Sequence, residues 1–322
     1  MTPYEHFSED RSPLMSCMEV WGGNEPTDHG LVMPGLDAWV FSAPSEHALE
    51  GGDVYYVSSC ASGRITRLLV ADVSGHGAEV AKTAETLRSL MRRYVNQLDQ
   101  SHFIRALNQE FVAISQDGGF ATAVAATYFA PMNCLALTNA GHPPPALYRG
   151  DTMEWSFLET ARSDRRGPSN VPLGILDTAE YDRWTLHLDH GDMVLCYTDS
   201  LIESRDRDGS FLGQDGLLEL LTRLDVTKPH TLIECLLASI RAVSKANLSE
   251  DDVTALLFTP NDLRPTPTLR QRFLMPAQLM KQFADSLRPG GAPMPWPDLN
   301  LANIGGAMFS PFNRLWRRCA RD

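Results

Sequence analysis

A short apolar run that ends on an aspartate and passes through a glycine turn into a helical pattern limits the folds open to this chain. Residues 67–73 are too rich in aliphatic side chains for a solvated loop, so they predict a buried strand with Asp72 near its end. Gly75 and Gly77 allow a tight turn, and apolar residues then recur at helical spacing from Val80 to Leu98. A carboxylate placed this way fits a metal site. A turn that cradles a nucleotide phosphate, or one merely capped by the aspartate, fits the same residues.

Three more aspartate positions lie at the ends of strand-like runs. Asp53 opens one run behind two glycines, Asp199 closes another, and the pair Asp251–Asp252 begins a third. Carboxylates gathered at one place would repel one another and raise their pKa values unless a cation lay between them. Oxygen ligands of this kind are typical of hard divalent ions. The pattern therefore predicts magnesium or manganese and disfavours zinc.

Six motifs occur in a fixed order over about residues 36–260. They read GGD at 51–53, ADVSGHG at 71–77, TNAGHPP at 138–144, PLGIL at 172–176, YTD at 197–199 and DDVT at 251–254. In this order and spacing they resemble the SpoIIE-like (stage II sporulation protein E) bacterial branch of the PPM, or 2C-like, metal-dependent serine/threonine protein phosphatases. Each motif alone is weak, whereas the ordered set is specific.

The resemblance implies an α+β fold, a four-layer α-β-β-α sandwich in which two mostly antiparallel sheets are flanked by helices. The residue patterns are compatible with it, because strand-like runs cluster as meanders and helical patterns form separate blocks. Strand-like runs cover residues 37–43, 53–60, 65–73, 120–130, 133–139, 145–149, 182–188, 192–198 and 252–259. Helical patterns cover residues 78–98, 102–116, 212–222 and 229–246.

The resemblance also implies two Mn²⁺ or Mg²⁺ ions in a cleft at one edge of the sandwich. Asp53 would bridge both ions, and Asp72 would support one of them directly or through water. The backbone carbonyl of Val73 would ligate one ion, while Asp199 and Asp251 would complete the other. Two ions that share a water lower its pKa and direct the resulting bridging hydroxide at phosphorus, so no protein nucleophile is required.

Two residues beside these ligands leave alternatives open. Asp252 is the less favoured ligand of its pair, and its side chain could instead fix the start of the last strand. Ser200 follows Asp199 where the family usually has Gly, so a positive φ there would strain the site, although Ser could also donate a hydrogen bond. All acidic ligands are present, and we expect an active enzyme. The alternative is a catalytically weak pseudophosphatase that acts as a regulatory binding module.

Two histidines lie within the motifs. His76 is the candidate general acid for the leaving oxygen, because an imidazole titrates near working pH. The eukaryotic 2C-like enzymes carry their acid histidine two residues after the metal-site aspartate, whereas His76 lies four after Asp72, so a structural role in the turn fits as well. His142 lies in a hairpin loop with two prolines, which indicates first a rigid turn and second a side chain that touches the cleft.

Composition excludes several function classes. The chain has 322 residues, 43% of them hydrophobic, which suffices for one ample domain. Its net charge of −12 argues against nucleic acid as a partner, because phosphate contacts need a basic surface. We find neither a run of about eighteen apolar residues nor a secretory signal, so we expect a cytoplasmic protein. The six cysteines form no C-x-x-C pair and predict reduced core thiols.

Basic residues are concentrated near the C-terminus. Residues 261–322 contain nine Lys and Arg against four Asp, a net of +5, which leaves −17 for residues 1–260. We therefore expect a short N-terminal leader (1–35), a phosphatase domain (36–260) and a basic tail with a Pro- and Gly-rich linker (261–322). The tail ends in the pattern of an amphipathic helix with an apolar face of Phe312, Leu315, Trp316 and Cys319. Because a helix this short is unstable alone in water, its apolar face would dock on the domain, on an anionic membrane or on a partner protein.

The expected function is hydrolysis of phosphoserine or phosphothreonine on a protein. By resemblance, the phosphoprotein substrate would be a bacterial signalling protein of the anti-sigma-factor antagonist type, and a separate activator protein would switch the enzyme. A phosphatase acting on nucleotides or other small molecules is a rival class. The glycine turns do not support it, because they lack both the P-loop lysine and the dinucleotide spacing.

Overall fold

The computed structural model describes residues 15, 19–45, 51–60, 62–74, 78–94, 99–114, 119–158, 169–244 and 246–263. The strands are β1 (Val20–Gly23), β2 (Thr27–Met33), β3 (Leu36–Ala43), β4 (Asp53–Ser59), β5 (Ile65–Val73), β6 (Ala121–Phe129), β7 (Cys134–Ala140), β8 (Ala146–Arg149), β9 (Glu154–Phe157), β10 (Trp184–His187), β11 (Met193–Tyr197) and β12 (Val253–Pro260). The helices are α1 (Ala78–Arg93), α2 (Gln100–Ile114), α3 (Ser200–Glu203), α4 (Gly213–Thr222) and α5 (Pro229–Val243), with a 3-10 turn at Ala130–Met132.

The strands form two six-stranded sheets. The order is β1-β4-β5-β6-β7-β10 in the first sheet and β2-β3-β12-β11-β8-β9 in the second. All ladders between neighbouring strands are antiparallel. Both faces of the central strands are buried, which explains why those strands are apolar almost throughout instead of alternating with polar residues.

The period of two along each strand divides the core into three layers. Tyr55 and Val57 of β4 face the second sheet and belong to the core between the sheets. Val54 and Tyr56 point the other way and pack under α1 and α2. A third cluster joins the outer face of the second sheet to α4 and α5. These layers confirm the predicted α+β fold with two sheets flanked by helices.

Three strands were not expected from the sequence. β1 pairs with β4 and β2 pairs with β3, so residues 20–33 form part of the sandwich although they lie in the segment expected to be a leader. The apolar part of β2 is only Leu31–Met33, behind three polar residues, which is too short to give a strand signal. β9, which has four residues, extends the second sheet beyond β8. The sandwich therefore begins earlier than residue 36.

Several expectations concern residues outside the described ranges. They are the Gly75–Gly77 turn with His76, and the tail beyond residue 263 with its apolar helical face. In the described part of the chain, no helix is both long and apolar enough to cross a membrane.

Two of the described cysteines differ from the expected reduced core thiols, and one of them, Cys235, is free but exposed. Cys60 and Cys196 are free and buried, as expected of core thiols. Cys134 is disulfide-bonded. The expectation that every thiol is reduced is therefore wrong for Cys134, because pairing depends on tertiary proximity that the spacing of cysteines does not reveal.

Candidate metal centre

The apolar core between the sheets ends in a polar layer at one edge of the sandwich. Alternation places this layer, because residues two apart along a strand share a face. Tyr55 and Val57 lie in the core between the sheets, and Asp53 follows in the same series at the end of β4. The same argument applied to β3, β5, β6, β11 and β12 adds one acidic or hydroxyl side chain at the end of each of these strands. We call it the acidic edge, and it consists of Ser42, Asp53, Asp72, Thr122, Thr198 and Thr254.

Asp53 and Asp72 lie directly opposite each other on neighbouring strands. They are Cα partners in the antiparallel ladder of β4 and β5. Asp53 is only 4% exposed, and its Oδ2 accepts a hydrogen bond of 2.8 Å from the Thr198 hydroxyl on the second sheet. Asp72 is half-buried. Two carboxylates held this close are a feature of sites that bind cations.

The glycines before Asp53 bring backbone and carboxylates together. A Cβ on Gly52 would lie 3.0 Å from the Val73 carbonyl oxygen and 3.7 Å from Asp72 Oδ1. A Cβ on Gly51 would lie 2.8 Å from Asp252 Oδ2, which is closer than side-chain carbons approach. The GGD motif therefore keeps open a space that the Val73 carbonyl and two carboxylates border.

The two aspartates at the start of β12 differ in environment. Asp252 Oδ1 accepts a hydrogen bond of 2.8 Å from the Ser45 amide, and Oδ2 accepts one from the Gly52 amide. Asp251 is exposed, and its Oδ1 accepts from the Asp252 amide at 2.8 Å. Asp252 therefore fixes the chain ahead of β4, whereas Asp251 faces solvent at the mouth of the site.

Asp199 lies at the N-terminal end of the short helix α3. Its φ of −62° and ψ of −23° are helical, and Glu203, one turn later, donates its amide to the Asp199 carbonyl at 2.8 Å. Ser200 is the first residue of this helix and is absent from the positive-φ residues of the described chain. The Ser in place of the family's Gly therefore causes no backbone strain.

Burial and neighbouring carboxylates raise the pKa values of three aspartates of the site. Burial raises the pKa of Asp53 well above its ordinary value, and the charges of Asp72 and Asp252 raise it further. Burial and then the charges of Asp199, Asp251 and Asp252 raise the pKa of Asp72 to about 6. Burial and Asp251 likewise raise the pKa of Asp199. These mutual effects place the five carboxylates in one electrostatic cluster.

The carboxylates of the acidic edge and the oxygen donors beside it together fit a hard divalent cation. In the described part of the chain, no three His, Cys, Asp or Glu side chains enclose one point closely enough to hold an ion by themselves. Amides hold both oxygens of Asp252, and Thr198 holds one oxygen of Asp53. The remaining donors are carboxylate oxygens and the Val73 carbonyl, and carboxylates clustered in this way gain most from a bound cation.

His142 lies beside the acidic edge rather than in solvent. Its Nδ1 is 2.7 Å from the hydroxyl of Thr122, the Cα partner of Asp72 on β6. Its backbone is held by two hydrogen bonds of 2.7 Å with the Asn139 side chain. Burial lowers the pKa of His142 to about 4, so the ring is neutral at working pH. His142 therefore supports the site from within the fold.

The structure brings together most of the residues expected at the metal site. The expected ligands that share the electrostatic cluster, or that border the space beside Gly52, are Asp53, Asp72, Val73, Asp199, Asp251 and Asp252. His76 lies outside the described ranges. Thr198 was not expected, although the apolar alternation of β11, continued by two residues from Cys196, could have placed it on the inner face.

Comparison with known proteins finds a matching family, a relative by sequence and solved structures with the same fold. The family described as stage II sporulation protein E (SpoIIE) matches residues 62–261. The phosphoserine phosphatase RsbU of Bacillus subtilis is 23% identical over 242 residues, which cover 74% of this chain and 68% of that protein.

Two solved structures share the fold. The PP2C phosphatase domain of SpoIIE from Bacillus subtilis, solved with a fragment of its regulatory domain, has a TM-score of 0.58 and 17% identity. The alignment covers 72% of this chain and 64% of that one. RsbX in complex with magnesium has a TM-score of 0.54 and 15% identity, and the alignment covers 73% of this chain and all of RsbX. At these identities the structures establish a shared fold.

Proposed function

This chain belongs to the stage II sporulation protein E (SpoIIE) family and is a serine/threonine phosphatase, and we propose that it hydrolyses phosphoserine or phosphothreonine with divalent ions held at the acidic edge. The observation that carries the proposal is the electrostatic cluster itself. Strands from both sheets deliver carboxylates to one edge, where burial and mutual repulsion raise the pKa values of Asp53, Asp72 and Asp199. Such an arrangement is costly unless a cation offsets the charge.

Two ions, Mn²⁺ or Mg²⁺, would be held by Asp53, Asp72, Asp199, Asp251 and the Val73 carbonyl. When bound, they would supply positive charge for the phosphoryl oxygens and lower the pKa of a coordinated water. The relative RsbX was solved with magnesium, which favours an oxygen-ligated divalent ion here as well.

The residues of the chain perform the remaining tasks. Asp53, the most buried carboxylate of the cluster, would help to hold the ions. Gly51 and Gly52 leave the backbone accessible beside the Val73 carbonyl. Asp252 holds the loop before β4 through the Ser45 and Gly52 amides, so we assign it a positioning role. His76 remains our candidate for the proton donor to the leaving oxygen.

We propose that the substrate is a phosphoprotein of bacterial signalling and that the enzyme acts in the cytoplasm. A separate activator protein would switch it on. The relative RsbU is named as a phosphoserine phosphatase, which supports this substrate class. The phosphatase domain would run from β1 to β12, and the basic tail from residue 261 would contact the acidic domain, a membrane surface or a partner. Ser200 gives no support to the pseudophosphatase alternative, because it adopts a helical backbone without strain.

Turnover of p-nitrophenyl phosphate and of phosphoserine peptides tests the proposal. Wild type and Asp199→Asn would be assayed with Mn²⁺, Mg²⁺ or EDTA. Asp37→Asn is the matched control, because Asp37 is also a partly buried aspartate with a raised pKa. It lies five residues before Ser42 on β3, which places it about 17 Å along the strand from the acidic edge. We expect metal-dependent turnover that Asp199→Asn abolishes and Asp37→Asn retains. Turnover that EDTA does not reduce would refute the mechanism.

A further inference from the structure

We propose that Thr198 is a positioning residue that sets the orientation of the Asp53 carboxylate and its placement relative to Asp199. This inference rests on the proposed function and assigns a role to a residue outside the expected ligand set. Thr198 lies immediately after β11 and is 1% exposed. It stands on the second sheet and reaches across to Asp53, which stands on the first sheet.

The backbone around Thr198 is held by the neighbouring strand. The Thr198 amide donates to the Thr254 carbonyl at 3.0 Å, and the Thr254 amide donates to the Thr198 hydroxyl at 2.9 Å. Behind them, the hydroxyls of Ser42 and Thr254 are 2.9 Å apart. These contacts fix both the main chain and the side-chain rotamer of Thr198.

The direction of the Thr198 hydrogen bond to Asp53 follows from its other bond. The hydroxyl oxygen already accepts the Thr254 amide hydrogen, so its own proton is available to donate. Asp53 Oδ2 lies 2.8 Å away and accepts that proton. The Asp53 carboxylate therefore cannot rotate about its Cβ–Cγ bond without breaking a buried hydrogen bond, and such bonds are costly to leave unmade.

The same residue also controls the spacing of ligands from the two sheets. Asp199 follows Thr198 directly in the chain and begins α3. The hydrogen bond to Asp53 thus ties the backbone beside one proposed ligand to the side chain of another. Hydrogen bonds to metal-ligating carboxylates fix their orientation, and their loss typically lowers metal affinity or activity about 10- to 100-fold.

The test compares three substitutions at Thr198 with one elsewhere. Thr198→Val keeps the shape and removes the hydroxyl, while Thr198→Ser and Thr198→Ala differ from each other only in the hydroxyl. Thr138→Val is the matched control, because Thr138 on β7 is 0% exposed and its hydroxyl has no hydrogen-bond partner among the described residues. Mn²⁺ affinity is measured by calorimetry on the full chain, and unfolding in EDTA confirms that each variant is folded.

We expect Thr198→Val and Thr198→Ala to bind Mn²⁺ about 10- to 100-fold more weakly than wild type. Thr198→Ser and Thr138→Val should remain within about threefold of wild type. The rate deficit of Thr198→Ala should shrink as the Mn²⁺ concentration rises, which a general packing defect would not produce. Should Thr198→Val fail to fold, the comparison of Ser with Ala still isolates the hydroxyl.

Two results would overturn the inference in different ways. If wild type binds Mn²⁺ and Thr198→Ala binds it equally, or if Thr198→Ser loses as much affinity as Thr198→Ala, the hydroxyl does not position Asp53 and the proposed function stands. If wild type itself binds neither Mn²⁺ nor Mg²⁺, the proposed function fails, and the role of Thr198 fails with it.

Discussion

Replacement of Asp72 by Asn should stabilise the metal-free protein while weakening its response to metal. Burial and three neighbouring carboxylates raise the pKa of Asp72 from 3.8 to about 6. One pKa unit corresponds to about 1.4 kcal/mol, so the ionised carboxylate would cost up to about 3 kcal/mol in the absence of a cation. Because Asp72 is partly exposed, solvent screening reduces this to about 1–2 kcal/mol. Asn has a similar shape and carries no charge.

The pH dependence of this effect has a defined sign. A carboxyl whose pKa is raised by folding destabilises the folded state when it is ionised, so its cost is complete above a pH of about 6. The cost declines as the pH falls through the folded-state pKa and is absent below the unfolded value of 3.8. The stability difference between wild type and Asp72→Asn should therefore be large near neutral pH and small near pH 4.

Urea unfolding followed by circular dichroism measures this difference in EDTA at both pH values. Asp177→Asn is the control, because Asp177 is an exposed aspartate outside the acidic edge, and it should match wild type. With saturating Mn²⁺ the order should reverse, since wild type gains more binding free energy than Asp72→Asn. If Asp72→Asn is less stable than wild type in EDTA at neutral pH, the electrostatic argument for the acidic edge is wrong.

Three other substitutions probe two positions beside the site and one buried cation farther along β5. Burial lowers the pKa of His142 from 6.5 to about 4. The free energy of unfolding should therefore decrease by up to about 3 kcal/mol as the pH falls from 6.5 to about 4. Urea unfolding of His142→Gln should not show this pH-dependent decrease. Gly51→Ala should displace Asp252 and lower the Mn²⁺ affinity measured by calorimetry about tenfold or more. The control Gly23→Ala should leave the affinity unchanged, because its added Cβ would lie no closer than 4.0 Å to any atom of the described residues. Arg67→Met should lower the free energy of unfolding by about 3 kcal/mol, because it removes a fully buried guanidinium from its hydrogen bonds. Unchanged Mn²⁺ affinity in Gly51→Ala, unchanged stability in Arg67→Met, or an unchanged pH dependence in His142→Gln would contradict the corresponding contact.

The central strands and the four longer helices could be predicted because their signals are local, whereas the short helix α3 was not expected. The predicted run 65–73 corresponds to β5 without change, and the helical pattern at 229–246 corresponds to α5 apart from its last three residues. β1 and β2 could not be predicted in the same way. β1 is stabilised by pairing with β4, which is distant in sequence. β2 is stabilised by pairing with β3, and the apolar residues that predict a strand lie in β3.

The acidic edge could be predicted in part. Aspartates at strand ends identify Asp53, Asp72 and Asp199 because an apolar strand exposes its polar residues where the core ends. The environments of Asp251 and Asp252 could not be distinguished from the sequence, because outside a helix or strand there is no periodicity that predicts the direction of a side chain. The two amides that hold Asp252 come from residues about 200 positions earlier, and only the tertiary structure places them there.

The most direct test of the metal centre is an anomalous difference map from crystals of the full chain grown with Mn²⁺. Peaks bordered by Asp53, Asp72 and Asp199, with the Val73 carbonyl directed at one of them, are the predicted result. Peaks located only elsewhere on the protein, or density at the acidic edge that persists unchanged in Asp53→Asn crystals, would contradict the assignment of this edge as the metal centre.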